Sequence, residues 1–215
     1  MIILGYILTI LYVLFILGIG GLLKKKNLIN EEGSRKLVHI FVSLAYIIMY
    51  KTIGISIHMI IIPIIFIILN YISYKKNLFE GMEISSRKSL GTVYYPLSMT
   101  IMATITYFEN SFYPYYGIGL FIMAFADGIA PLVADKIKTK TLLNTNRSIS
   151  GSLTVLIISI LMLIIFKSIF NLNLNILNIV VLGLVSTILE FIGGKFDNLI
   201  LPIGISIISY LVVVL

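Results

Sequence analysis

The sequence predicts an all-α, polytopic integral membrane protein, and three observations carry that prediction. Hydrophobic residues make up 59% of the 215, and the mean hydropathy is +1.08. Charged residues amount to 12%, about half of the roughly 25% found in soluble domains. The apolar runs are continuous, whereas a membrane β-barrel shows ~10-residue segments of alternating polarity. A span needs ~20 apolar residues, and the polar breaks leave about eight: 2–23, 36–50, 53–74, 90–108, 115–134, 151–170, 176–193 and 199–215. No boundary composition marks a separate soluble part, so residues 1–215 are expected to form a single transmembrane domain.

The first span has no basic segment ahead of it, and Lys24, Lys25 and Lys26 follow it. That order is expected of an anchor with its N-terminus outside, not of a cleaved signal peptide. The second span opens with "EEGSRKLVHI", residues 31–40. Ser34 is the expected N-cap, with Arg35 and Lys36 in the first turn. His39 follows four residues after Arg35 and three after Lys36, so the three share part of one face. Two cations at a helix N-terminus oppose its dipole, unless an anion such as phosphate binds there. The alternative is that Arg35 and Lys36 only fix the topology.

The third span begins near residue 53, and its boundary with the second falls between Lys51 and His58. The fourth is preceded by "SSRKSLGTVYYP", residues 85–96. Basic residues, Lys88 among them, lead to Gly91 at a helix start and then to Tyr94, Tyr95 and Pro96.

The fifth span holds the most informative stretch, "AFADGIAPLVADK", residues 124–136. Asp127 sits in an otherwise uncharged run, where an acid costs roughly 2.5–3.5 kcal/mol at mid-helix. Pro131 has no N–H for the carbonyl four residues earlier, and that carbonyl belongs to Asp127. Gly128 is expected to let the chain unwind locally, as irregular backbone does where it lines a polar cavity. A carboxylate beside freed carbonyls suits a hard cation. The alternative is a structural kink with Asp127 paired to a basic residue.

The sixth span follows the loop "DKIKTKTLLNTNRSISGS", residues 135–152. Lys136, Arg147, Ser148, Ser150, Gly151 and Ser152 lie in or beside it, and a helix start with cations and hydroxyls can hold phosphates. The GxxxxGK[ST] order of a P-loop is absent. The last two spans are joined by "EFIGGKFDNLILP", residues 190–202. Gly193 and Gly194 break the helix, so Glu190 and Asp197 can reach one pocket. Pro202 stands four residues after Asn198.

Fourteen of the sixteen Lys and Arg residues fall in alternate loops, and only Lys51 and Lys167 do not. The positive-inside rule then puts the basic side in the cytoplasm and both termini outside. The net charge of +7 is thus read as topology, with no nucleic-acid partner expected. The absence of cysteine excludes disulfides and thiolate metal sites.

Acids, cations and a helix N-terminus gathered at one membrane face are the parts that Mg²⁺-dependent phosphoryl transfer requires. At these residues the chain resembles the CTP-dependent lipid-alcohol kinases: dolichol kinase, phytol kinase and the CTP-type diacylglycerol kinase. Arg35-Lys36-x-x-His39 is similar to the family's R-K-x-x-H, and Gly91 with Tyr94, Tyr95 and Pro96 to its G-x-x-Y-Y-P. Asp127, Ala130, Leu132 and Val133 match G-D-x-x-A-x-L-V. Arg147-Ser148 with Gly151-Ser152 matches K-S-x-E-G-S, and Glu190 with Asp197-Asn198-Leu199 and Pro202 matches the closing E…D-N-L-x-x-P. Departures stand at Ala126, Ala134, Asp135 and Ser150, all around the loop that the resemblance gives to the nucleotide.

The resemblance implies a membrane kinase that moves the γ-phosphoryl of CTP to a polyprenol-type alcohol or diacylglycerol at the cytoplasmic face. The catalytic set would be Asp127, Arg35, Lys36 and His39. Arg147, Ser148, Gly151, Ser152, Lys136, Lys88 and Asn198 would bind the nucleotide, and Asp127, Asp197 and Glu190 would bind Mg²⁺. Membrane lipids surround the chain, and a homodimer stays open. Rival readings are a phosphatidate cytidylyltransferase-like enzyme and a small transporter. A CDP-alcohol transferase is disfavoured, because "DGIAPLVADKIK" lacks the Arg and the downstream acids of DGxxAR…GxxxDxxxD.

Overall fold

The computed structural model describes residues 2–76, 90–142 and 147–215. Among them there is no strand, only an isolated antiparallel bridge between Thr141 and Ser148. The chain groups into two compact units, Met1–Asn110 and Ser111–Leu215.

The first unit contains α1 (Ile2–Lys25), α2 (Glu31–Ser43), α3 (Ala45–Thr52), α4 (His58–Lys76) and α5 (Gly91–Phe108). On α1 only Gly5, Thr9, Val13, Ile16 and Gly20 are buried. Their spacing of three or four residues makes a single stripe, which packs on α2 and α3.

Three expectations are corrected here. The N-cap of α2 is Asn30, whose side chain accepts from the Gly33 N–H at 2.7 Å. Ser34 is a buried residue inside the helix. The helix starts earlier because Glu31 and Glu32 suit its positive end and Glu31 pairs with Lys24 at 3.0 Å. Arg35 and Lys36 therefore lie beyond the first turn. The second span is also two helices, broken at Leu44, whose N–H turns to the Phe41 carbonyl. Finally, the third span begins at His58 and not at 53, because the chain turns at Gly54 with φ +72°, a left-handed conformation natural to glycine.

The second unit contains α6 (Tyr113–Lys136), α7 (Ile149–Phe170), α8 (Ile176–Gly193) and α9 (Asp197–Val214). Nearly every residue of α6 from Tyr113 to Ala124 is buried, so this helix is the core. It packs on α7 and α9, and α8 packs on the same two. The approach of α6 to α9 is set by Gly119. A methyl there would fall on the Pro202 carbonyl and the Ser206 hydroxyl, and backbone cannot step aside as a side chain can. Gly119→Ala is thus expected to destabilise by about 1–3 kcal/mol or more, seen as a lowered melting temperature in detergent. Gly21→Ala, with open space at that position, is the matched control and should melt as the native chain does.

Five stretches are long and apolar enough to cross a membrane: Ile2–Lys25, His58–Lys75, Asn110–Lys136, Ile149–Phe170 and Ile176–Val214, the last holding both α8 and α9. They mark the chain as a membrane protein. Helices α2 and α3 are too short to qualify, and α5 carries Thr, Tyr and Ser along its length. Many of those α5 residues are buried inside the first unit.

Candidate functional site

In the second unit, Asp127 stands on α6 between the buried Ala126 and Gly128. Pro131 lies inside this helix, four residues on, so the Asp127 carbonyl lacks its usual backbone donor. The helix nevertheless runs unbroken from Tyr113 to Lys136, and the expected unwinding at Gly128 does not occur. One missing bond does not open a helix held by packing on neighbouring helices.

The α8–α9 connection brings two more acids close. Helix α8 ends at Gly193, Gly194 takes φ +53°, and a 3-10 turn of three residues leads into Asp197. A Cβ on Gly193 would stand 3.3 Å from that of Asp197, so the chain doubles back tightly. Glu190 thus lies in the last turn of α8 as Asp197 begins α9, where the helix dipole favours a carboxylate. Asp197 Oδ1 accepts from the Asn198 N–H at 2.8 Å, and Asn198 is buried.

The start of α7 supplies the cation. Ser148 is the N-cap, its hydroxyl accepting from the Gly151 N–H at 3.1 Å. Thr139 and Ser150 clasp the preceding loop: the Ser150 N–H donates to Thr139 Oγ1 at 2.9 Å, and the Ser150 hydroxyl donates to the Ile137 carbonyl at 2.8 Å. Leu142 and Arg147 close the loop by a backbone bond of 2.8 Å. Held this way, the Arg147 guanidinium makes an ion pair with the Glu190 carboxylate and another with Asp197 Oδ2 at 3.2 Å. It also donates to the Glu190 carbonyl at 3.2 Å. Glu190 is 5% exposed, and a buried charge is costly unless paired. Asp127 lies near enough to act electrostatically on Asp197.

Asp127, Arg147, Glu190, Asp197 and Asn198 are thus brought together. Arg147, expected on phosphates, is held by the acids instead. Ser148 and Gly151 are engaged in capping, the Ser152 N–H donates to the Ser148 carbonyl, and Lys136 is exposed in the last turn of α6. Lys88 lies outside the described residues. Arg35, Lys36 and His39 belong to α2 of the first unit, where Lys36 and His39 are buried. The His39 ring stacks on Tyr95 with centroids 4.8 Å apart, and the Tyr95 hydroxyl donates to the His39 carbonyl at 3.3 Å. Sequence reasoning missed the clasp by Thr139, whose only signal was a hydroxyl in a loop of many.

Among the described residues no three acids or histidines gather closely enough to hold a metal alone. Mg²⁺ does not require such a cage, since it is usually held by one or two carboxylates plus substrate phosphates. Glu190 Oε2 is buried and makes no hydrogen bond among the described residues. Glu190 and Asp197 on one guanidinium, with Asp127 in electrostatic reach, therefore fit a hard cation that arrives with phosphates.

Helices that enter the bilayer and a cluster of acids with an arginine at their ends define a membrane protein with a polar, charged site. The chain is 27% identical over 145 residues to a phytol kinase from Synechocystis sp. (strain ATCC 27184 / PCC 6803 / Kazusa). The match covers 65% of this chain and 61% of that relative, so the chain spans less than two thirds of the relative's length. It supports the relationship to the CTP-dependent lipid kinases that the motifs resemble. No protein-family profile matches the chain, and no solved structure does.

Proposed function

We propose that the chain is a lipid-alcohol kinase of the membrane, transferring the γ-phosphoryl of CTP to the hydroxyl of a polyprenol-type alcohol or diacylglycerol. The observation that supports it most is Arg147 clasped between Glu190 and Asp197, with Asp127 in electrostatic reach. Phosphoryl transfer is catalysed by positioning and charge stabilisation, and this cluster offers both signs of charge at one place. The likeness to a phytol kinase adds the acceptor class, and the motif resemblance adds CTP.

In this reading Asp127 accepts the proton of the attacking hydroxyl. Asp127 and Asp197 would hold Mg²⁺ together with the phosphates, and the ion supplies neutralisation of the charge on the transferring group. Arg147 exchanges carboxylates for phosphate oxygens, for which its planar fork is equally suited. Arg35, Lys36 and His39 carry the R-K-x-x-H motif, to which the resemblance gives a catalytic part. The distribution of fourteen of the sixteen basic residues supports eight spans, both termini outside and a cytoplasmic site.

The test is purified protein in detergent with a panel of nucleotides and lipid alcohols, with and without a chelator. A phosphorylated alcohol formed with CTP and lost on chelation supports the reading. Pyrophosphate release with phosphatidate would establish a cytidylyltransferase instead, and solute flux in liposomes without nucleotide would establish a transporter.

A further inference from the structure

The start of α7 is tied down more fully than a single cap requires. A helix leaves its first N–H groups without backbone partners of its own. After the Ser148 cap these belong to Ile149, Ser150 and Gly151, and each has an acceptor. The Ile149 N–H donates to the Lys140 carbonyl at 3.1 Å, that of Ser150 to Thr139 Oγ1 at 2.9 Å, and that of Gly151 to Ser148 Oγ at 3.1 Å. Groups that could face an anion are engaged by the chain itself.

The hydroxyl protons are equally accounted for. Ser150 Oγ donates to the Ile137 carbonyl at 2.8 Å, so the hydroxyls of Thr139 and Ser148, each 3.1 Å away, donate to it. A hydroxyl offers one donor and two acceptor positions, and Ser150 uses all three. Ser150 is buried, whereas Thr139 is an exposed residue whose hydroxyl is nevertheless turned onto α7. Thr139 and Ile137 thereby tie the segment that follows α6 to the first turn of α7. Arg147 stands immediately before the cap, and from there its guanidinium reaches Glu190 and Asp197.

We propose that Thr139 is a positioning residue, which fixes the first turn of α7 through Ser150 and so holds the Arg147 guanidinium in place. It acts through Arg147 and not on the substrate. Its part in nucleotide binding rests on the lipid-alcohol kinase reading, in which Arg147 meets the phosphates.

The test reads Arg147 directly. Phenylglyoxal modifies accessible guanidinium groups, and its rate at each arginine of the purified full chain in detergent is followed by mass spectrometry, with Arg35 on α2 as internal reference. Thr139→Val should raise the rate at Arg147 roughly fivefold, the shift that one lost hydrogen bond produces in an opening equilibrium, and leave that at Arg35 unchanged. Thr139→Ser, which keeps the hydroxyl, should react as the native chain does. Should Thr139→Val fail to fold, Ser150→Ala removes the junction of the same network and should free Arg147 alike. In the kinase assay Thr139→Val should raise the KM for CTP and not that for the lipid alcohol, and should add nothing to the defect of Arg147→Met. An unchanged rate at Arg147, an equal rise at Arg35, no rescue by serine, or an undiminished effect in the Arg147→Met background would overturn the proposal. An active enzyme with any of these results keeps the kinase and loses the positioning role. A faster Arg147 in Thr139→Val, from a chain that phosphorylates no alcohol, would support the positioning role and remove the kinase.

Discussion

Asp127→Asn is expected to lower phosphoryl transfer by about two to four orders of magnitude, the usual contribution of a positioned general base. The substitution keeps the shape of the side chain and removes its charge. Its neighbours Ala126 and Gly128 are buried in the core helix α6, and none of that packing changes. The variant should therefore stay folded in detergent, and the loss should appear in kcat. A fall in turnover matched by unfolding would mean that Asp127 is structural.

The second large effect is expected at Arg147, and it reads as stability first. Arg147→Met leaves Glu190, which is 5% exposed, without its counter-charge. Breaking a buried pair on one side costs about 3–5 kcal/mol. The guanidinium is itself 27% exposed, which places this pair at or below the low end of that range. Combining Arg147→Met with Glu190→Gln should recover most of the melting temperature, because the orphaned charge is removed with its partner. Activity should not recover, since the proposed phosphate contacts are still missing. Arg147→Lys should be intermediate in stability, because an ammonium cannot span Glu190 and Asp197 as a planar fork does. Recovery of both properties in the double variant would confine Arg147 to a structural role.

The sequence revealed the helix order well, because continuous apolar runs and basic loops report directly on the medium around the chain. The pairing of Pro131 with the Asp127 carbonyl was readable from spacing alone, as was the doubling back at Gly193 and Gly194. The cap at Asn30 was not. Ser34 and Asn30 are both good caps, and the choice between them depends on Glu31 meeting Lys24 across a turn. The break at Leu44 was equally hidden, since apolar residues flank it, whereas the start at His58 falls at the end of the polar-interrupted stretch from Lys51 that already marked this boundary. Least readable was the partner of Arg147. A cation in a loop looks the same whether it awaits a phosphate or holds acids 43 and 50 residues away. The unwinding expected at Gly128 failed for a related reason, because packing of α6 on α7 and α9 outweighs one lost hydrogen bond.

The most direct measurement follows isotope from nucleotide to lipid. The protein is incubated with a single-chain lipid alcohol and Mg²⁺, with CTP labelled at either the γ- or the α-phosphorus. Label from the γ position alone, entering the lipid in the native chain and failing to do so in Asp127→Asn, is the predicted result. Label from the α position, or γ label entering equally in both proteins, would contradict it.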